Sequence, residues 1–134
     1  MAYLKVLPVA TNTHLNNLIK YITRVDKTDG RVFVSAAGCR VETAIKDFKR
    51  IREISGKQRG LVAHQLVRSF PAGEVDPEQA QQMAEELAAR MLPGHQYIVC
   101  THVDRDHIHT HIVFNSVSYL TGEKYHNNKK SLRI

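Results

Sequence analysis

The sequence predicts a single α/β (α+β) domain in which a central, mostly antiparallel sheet of about five strands carries helices on one face. Five short stretches have the apolar alternation of strands, and three longer ones repeat apolar residues every three to four positions. They follow one another as strand, helix, strand, helix, strand, helix, strand, strand. The last two strands are separated only by the polar run 103–106, so we expect them to form a hairpin.

Composition limits the classes of function. The 134 residues are enough for one domain, and 43% hydrophobic and 24% charged residues are ordinary for a globular protein. A net charge of +6 makes a polyanion a plausible partner, although many basic proteins bind no nucleic acid. Cys39 and Cys100 lie in apolar stretches, which indicates reduced core residues of a cytosolic protein. No apolar run is long enough to span a membrane, so we expect a cytoplasmic protein without a membrane partner.

The first strand and helix carry a candidate functional tyrosine. Residues 3–9 read as a strand, with Pro8 at its end or at a sheet edge. Thr11 to Thr13 supply an N-cap for a helix from about His14 to Val25. One polar stripe of that helix consists of His14, Asn17, Tyr21 and Arg24. A tyrosine at the rim of the core is commonly structural, but its His, Asn and Arg neighbours support a functional hypothesis for Tyr21.

The second helix carries a basic face. It follows a strand at 31–37, spans residues 41–55 and ends at Gly56. We expect its inner face to hold Ala44, Ile45, Phe48, Ile51 and Ile54, and its outer face to hold Lys46, Lys49, Arg50 and Arg52. A solvated face and a phosphate-contacting face both fit this pattern.

The rest of the chain supplies two more strands around a third helix, and then the histidine strand. The third strand spans 61–70 and includes His64, which would lie with the other histidines if this strand neighbours theirs. Asp76 caps the third helix, with Gln79 completing a capping box. Strands at 97–102 and from His107 to about Ser118 follow. Residues 131–134 could begin a further helix, so we expect the chain to be the N-terminal part of a longer protein.

The histidine strand carries the strongest functional signal. Half of the 8 histidines fall between His102 and Asn115, and with period two His107, His109 and His111 point to one side. Three alternating histidines and a fourth across a turn are hard to explain as packing, whereas converging neutral imidazoles suit a divalent metal. A tight hairpin would put His102 opposite His107 and diagonal to His109, so spacing alone favours these three as ligands.

This pattern resembles the relaxase (mobilisation nuclease) family of plasmids and conjugative elements, within the HUH single-strand endonucleases. The resemblance rests on His102-x-Asp104-x-x-His107-x-His109-x-His111-x-Val113-x-Asn115, which is similar to the third motif of the VirD2-like, MobP-type members. The segment Tyr21-Ile-Thr-Arg24 resembles the family's nucleophile motif. The segments 64–70 and 122–126 extend the similarity over almost the whole chain.

The resemblance implies a site-specific transesterification of single-stranded DNA at an origin of transfer. Tyr21 would attack the scissile phosphodiester and form a 5′-phosphotyrosine. The family pattern points to His102, His109 and His111 as metal ligands, with His107 auxiliary. The family is generally described with magnesium or manganese, whereas imidazole ligation favours zinc, nickel or copper. Accessory relaxosome proteins are the other expected partners.

The proposed reaction also needs a base for the tyrosine proton, partners for the histidines and cations for the DNA phosphates. A tyrosine needs help to lose its proton, and His14 or His64 could act as the base. Asp104 could hold a histidine's second nitrogen, and Asn115 closes the motif. We expect DNA contacts from five basic residues: Arg24, Lys49, Arg52, Arg68 and Lys124.

Three alternatives stay open. Some related relaxases use a histidine nucleophile, which keeps His14 a candidate. A related HUH replication initiator or transposase would carry its tyrosine after the histidines, at Tyr119 or Tyr125. A non-catalytic single-stranded DNA-binding module would keep the fold and bind DNA through the basic face, with a strong dependence on salt.

Overall fold

The structure, a computed structural model, describes residues 3–126. Its strands are β1 (Tyr3–Val9), β2 (Val34–Ala37), β3 (Ala63–Phe70), β4 (Tyr97–His102) and β5 (Ile108–Asn115), and its α-helices are α1 (Asn12–Ile22), α2 (Ala44–Ser55) and α3 (Pro77–Met91). The predicted order is confirmed, and β1 and β4 have the predicted bounds. The helix start expected at 131–134 lies outside the described residues. None of the described helices has the length and apolar character needed to cross a membrane.

The strands form one sheet in the order β1-β3-β5-β4-β2, and every neighbouring pair is antiparallel. The five-stranded antiparallel α+β class is therefore confirmed. Pro8 lies on the edge strand β1, as predicted. The histidine strand β5 is central, so both its neighbours, β3 and β4, can contribute side chains to a site on it.

Helices lie on both faces of the sheet, whereas the sequence predicted helices on one face only. The helices α1 and α2 pack over Val113 and Ile98, with Phe48 fully buried between the layers. On the other face α3 packs over Ile112 and Val99. The second half of β5 is apolar on both sides, because Val113 is flanked by Ile112 and Phe114, and both sides therefore need a cover.

The helix α1 ends at Ile22, three residues before the predicted Val25. Beyond it the chain folds back in a loop at 23–33, which hydrogen bonds hold to the end of β4. Val103 N–H donates to the Lys27 carbonyl over 2.7 Å, and Thr101 N–H donates to the Phe33 carbonyl over 3.0 Å. The last turn of α1 is thereby fixed beside the hairpin that carries the histidines.

The helix α2 begins after a 3₁₀ turn at Val41–Thr43 and ends at Gly56, whose φ of 73° is the left-handed cap that glycine favours. Two of its predicted orientations are reversed. Ile54, expected inside, is 71% exposed, and Arg52, expected outside, is 2% exposed. Arg52 is buried because its guanidinium donates to Asn12 of α1, to the carbonyl of Val62 just before β3 and to Asn115 of β5.

Candidate active site

The hairpin between β4 and β5 brings three of the four motif histidines onto one face of the sheet. His102 pairs directly with His109, and His111 follows on the same side of β5. His107 belongs to the turn and is exposed. The expected pairing of His102 with His107 is wrong, because the turn is longer than a tight hairpin and ends only at Ile108.

Hydrogen bonds orient the two inner imidazoles. The rings of His102 and His111 are 4.3 Å apart between centroids. Nε2 of His102 lies 2.9 Å from the Ile22 carbonyl, and since a carbonyl only accepts, Nδ1 of that ring keeps its lone pair. Nδ1 of His111 lies 2.7 Å from Oε1 of Gln65, which leaves Nε2 of His111 with the lone pair when Gln65 accepts.

Burial keeps these rings neutral. It lowers the pKa of His102, and it lowers the pKa of His111 to about 3, with the nearby His102 and His109 rings adding to the effect. Neutral imidazoles held by a carbonyl or an amide are the donors that divalent metals use, so His102 and His111 fit an ion chemically, and His109 lies opposite His102 on the same face. Among residues 3–126, no three His, Cys, Asp or Glu side chains are spaced to hold an ion as they stand.

Tyr21 lies beside this group, on the last turn of α1. Its side chain is 45% exposed, and its ring meets the His102 ring edge to face at a centroid distance of 5.6 Å. On its other side, Nζ of Lys27 lies 5.1 Å from the Tyr21 ring centroid. The nucleophile predicted from the sequence is thus in contact with one of the predicted metal ligands and with a cation.

Asp104 has a different partner from the one predicted. Its Oδ2 accepts a hydrogen bond from Nζ of Lys27 over 3.0 Å, whereas the sequence analysis gave it a histidine nitrogen. This bond raises the pKa of Lys27 and lowers the pKa of Asp104, so both groups stay charged. Ile22 and Gln65 are the groups that hold the histidines instead.

Three predicted site residues lie elsewhere. His64 pairs with Phe114 and stacks on its ring at 5.3 Å, so it faces α3, and the expectation that it shares the histidine face is wrong. His14 is exposed in the first turn of α1, about 10 Å along the helix axis from Tyr21. Asn115 lies beneath α2, where its amide donates to the Phe48 carbonyl over 3.1 Å.

Of the five predicted DNA-binding residues, two are exposed on the surface and one lies on the α3 face of the sheet. Lys49 is exposed, and Arg24 is exposed in a bidentate pair with Asp26. Arg68 lies on the α3 face over the Phe70 ring, because β3 alternates and Arg68 has the same parity as His64.

The side chains of the two other basic residues donate hydrogen bonds to groups of the protein itself. Lys124 donates to the carbonyls of Arg59 and Leu61. Arg52 is buried and donates to Asn115, so its expected position on the outer face of α2 is wrong.

Sequence reasoning missed Lys27 and Gln65. Lys27 stands in a turn-rich loop whose contact with the hairpin depends on the fold. Gln65 lies on the same side of β3 as Val67, which pairs with His111. Gln65 could have been found from the sequence only with the register of β3 against β5.

Comparison with known families decides the class of this site. A family model of the MobA/VirD2-like relaxase nuclease domain matches residues 21–134. The chain belongs to this relaxase family. The predicted family is therefore confirmed, and the histidine hairpin and Tyr21 both lie within the part of the relaxase domain that matches.

Named relatives agree with the family. Protein rlx of Staphylococcus aureus is 49% identical over 96 residues, which cover 72% of this chain and 30% of the relative. The group II intron-interrupted relaxase LtrB of Lactococcus lactis is 32% identical over 139 residues, covering 84% of this chain and 25% of the relative. The T-DNA border endonuclease VirD2 of Rhizobium radiobacter is 40% identical over 65 residues, covering 44% of this chain and 15% of the relative. This chain thus spans about a third or less of the length of these curated relatives.

A solved structure has the same fold. It comes from work on the molecular basis of vancomycin resistance transfer in Staphylococcus aureus, and it superposes with a TM-score of 0.61. The superposition covers 96% of this chain and 77% of that one at 11% sequence identity. At that identity the likeness concerns the fold alone.

Proposed function

We propose that this domain nicks single-stranded DNA at an origin of transfer, in a metal-dependent transesterification with Tyr21 as nucleophile. One observation carries the proposal: the Tyr21 ring lies 5.6 Å from the His102 ring, whose own centroid lies 4.3 Å from that of His111. The three side chains come from α1, β4 and β5, which the hairpin and the 23–33 loop bring together. The family of the chain supports the same chemistry.

The reaction replaces the phosphodiester bond of the DNA by a phosphotyrosine ester. Oη of Tyr21 attacks the scissile phosphorus, the bond between phosphorus and the 3′ oxygen breaks, and the departing oxygen takes up a proton as a 3′-hydroxyl. The strand that carries the 5′ phosphate stays on Tyr21 as a phosphotyrosine ester, and the reverse step reseals the strand. Because Tyr21 is 45% exposed, its proton can pass to solvent. His64 cannot receive it, because it faces α3.

Lys27 supports the nucleophile as a positioning residue. Its ammonium lies 5.1 Å from the Tyr21 ring centroid, and Asp104 fixes it there through a 3.0 Å bond. A fixed positive charge beside the phenol favours the negative charge that the oxygen develops on losing its proton. The ion pair therefore ties the Asp104 of the histidine motif to Tyr21.

We assign the metal to His102, His109 and His111, following the family. When bound, a divalent ion would supply the Lewis acid that polarises a non-bridging phosphate oxygen. The protein's part is to hold the rings: the Ile22 carbonyl fixes His102, and Gln65 fixes His111. Magnesium or manganese is the ion expected from the family.

The other candidate nucleophiles are poorly located for this chemistry. Tyr125 packs against Phe114 on the α3 face, with ring centroids 4.9 Å apart. Tyr119 lies beside Gly38, whose added Cβ would come within 3.3 Å of the Tyr119 ring, and it follows the end of β5 that is remote from the histidines. An initiator-like arrangement with its tyrosine after the motif is therefore disfavoured.

A covalent-adduct assay tests the proposal. The chain is incubated with Mn²⁺ and a labelled single strand that spans the origin of transfer, and denaturing gels report DNA attached to protein. We expect an adduct with the wild type and with Tyr119→Phe, and none with Tyr21→Phe. An adduct that survives Tyr21→Phe would reject this nucleophile. Tight binding by the wild type without any adduct would favour the non-catalytic binding module.

A further inference from the structure

A cleft runs along the side of α1, next to the face that carries Tyr21. It has a volume of about 680 Å³ and lies between the second half of α1, the 23–33 loop and the start of α2. This volume is within the range of sites that bind ligands of nucleotide size. We call it the α1–α2 cleft.

The charge of the α1–α2 cleft suits a polyanion. Four cationic side chains line it, Lys20, Arg24, Arg31 and Lys46, against a single carboxylate, Glu42. All five are exposed. Such an excess around one concave surface concentrates positive potential there.

The floor of the cleft is apolar. Ile19 and Ala44 are buried there beside Thr23, whose hydroxyl donates to the Ile19 carbonyl, and Ile45 is half-buried. At the rim, Val25 leaves 59% of its surface exposed. An apolar floor between cations matches a single nucleic acid strand, which presents bases on one side of its chain and phosphates on the other.

The cleft is continuous with the site around Tyr21. Arg24 lines it, and the Arg24 N–H donates to the Tyr21 carbonyl over 3.3 Å, so the two residues are adjacent. Arg24 pairs with Asp26, and the pair is more than half exposed on both sides, so a phosphate can replace this carboxylate at little cost. A strand whose scissile phosphate lies at Tyr21 thus meets the cleft at Arg24.

Arg31 is fixed in place at the cleft. Its backbone is in the left-handed region, with a φ of 67°, and its Nε donates to the Thr23 carbonyl over 3.1 Å. Anchoring one nitrogen of a guanidinium limits the side-chain freedom that would be lost on binding a phosphate. This is the arrangement expected of a binding residue rather than of a freely moving surface arginine.

We infer that the α1–α2 cleft binds the single-stranded DNA that flanks the scissile phosphate, with its backbone on Lys20, Arg24, Arg31 and Lys46 and its bases over the apolar floor. The inference rests on the proposed function for the direction of the strand toward Tyr21. It goes beyond that function in assigning a binding surface that none of the histidines lines and that guides one flank of the substrate.

Binding measurements on neutralised variants test the cleft. A fluorescent single-stranded oligonucleotide is titrated with Tyr21→Phe protein, which cannot form the adduct, over a series of salt concentrations. Each lost phosphate contact should reduce the salt slope by about 0.7 and the affinity at 0.15 M salt about fourfold. We therefore expect Lys20→Gln with Lys46→Gln to weaken binding about fifteenfold. The matched control is Lys57→Gln with Arg90→Gln, which removes the same charge outside the cleft.

Misfolding could also weaken DNA binding, so the test includes a substitution that should strengthen it. Glu42→Gln removes the one carboxylate of the cleft, and we expect tighter binding by a few-fold, while Glu86→Gln on α3 should change little. Unaltered binding in both the Lys20/Lys46 double variant and Glu42→Gln would overturn the inference. Equal weakening of duplex DNA binding would overturn the assignment to a single strand.

The two proposals fail separately. If the wild type forms the Tyr21 adduct while cleft variants bind DNA normally, the cleft inference is wrong and the proposed function stands. If no adduct forms with any strand while cleft variants bind more weakly, the cleft is a single-strand binding surface and the nucleophile assignment is wrong.

Discussion

Replacement of Arg52 by methionine separates a buried structural arginine from a DNA-binding one. The guanidinium is 2% exposed and donates to Asn12, to the Val62 carbonyl and to Asn115. Burial lowers the pKa of Arg52, which shows that the charge is costly to keep there. Methionine keeps most of the length of the side chain and removes every donor.

The expected cost follows from the acceptors left behind. The Val62 carbonyl keeps a hydrogen bond from Ser116 N–H, and the Asn12 side chain can bond to water. The acceptor left without its arginine donor is therefore the buried side-chain oxygen of Asn115. An unsatisfied buried acceptor costs about 1–3 kcal/mol, and loss of the weaker bonds adds to it. Relief of the buried charge offsets part of this sum. We expect the free energy of unfolding to fall by about 2–4 kcal/mol.

Urea denaturation followed by circular dichroism measures this change, with Lys49→Met as the matched control. Lys49 is on the same helix and exposed, so its replacement should change the free energy of unfolding by less than about 0.5 kcal/mol. Lys49→Met is expected to reduce the salt slope of DNA binding, and Arg52→Met to leave it unchanged. Full stability of Arg52→Met together with a reduced salt slope would refute the buried placement of Arg52.

Three further predictions follow from the site. Gln65→Leu should weaken Mn²⁺ binding by calorimetry about tenfold, because His111 loses the group that orients it; an unchanged affinity would exclude that role. Lys27→Met should lower the rate of adduct formation and leave the KM for DNA nearly unchanged; a change in KM alone would indicate a mere phosphate contact. Burial lowers the pKa of His64 from 6.5 to about 4, so its neutral folded form contributes stability above pH 6.5 that is lost as the pH falls toward 4. Over that range urea melts should show up to about 3 kcal/mol more loss for the wild type than for His64→Phe; parallel curves would contradict this.

The histidine site was largely predictable because alternation is a local property of a strand. Once residues 108–115 form a strand, His109 and His111 share a face whatever the rest of the fold. The partner of His102 was not predictable, because it depends on the length of a turn without a glycine or proline to fix its type. The register places His102, His109 and His111 on one face, and their role as metal ligands, which the family resemblance implies, stays a prediction.

The errors arose where tertiary packing decides orientation. His64 and Gln65 are neighbours on β3, and only the pairing with β5 decides which of them faces the histidines. The helical spacing of Arg52 predicts an outward side chain, but the acceptors of its hydrogen bonds come from α1, from Val62 before β3 and from β5. Helices on both faces likewise follow from the doubly apolar end of β5, which a one-faced pattern does not describe.

Tandem mass spectrometry of the protease-digested adduct tests the central claim most directly. We predict that the nucleotide remnant is carried by the peptide containing Tyr21, and that fragmentation assigns it to that phenol. The adduct should be absent in Tyr21→Phe and should need Mn²⁺ or Mg²⁺. A remnant on Tyr119, Tyr125 or His14 would contradict the account, because none of these side chains lies beside the paired rings of His102 and His111.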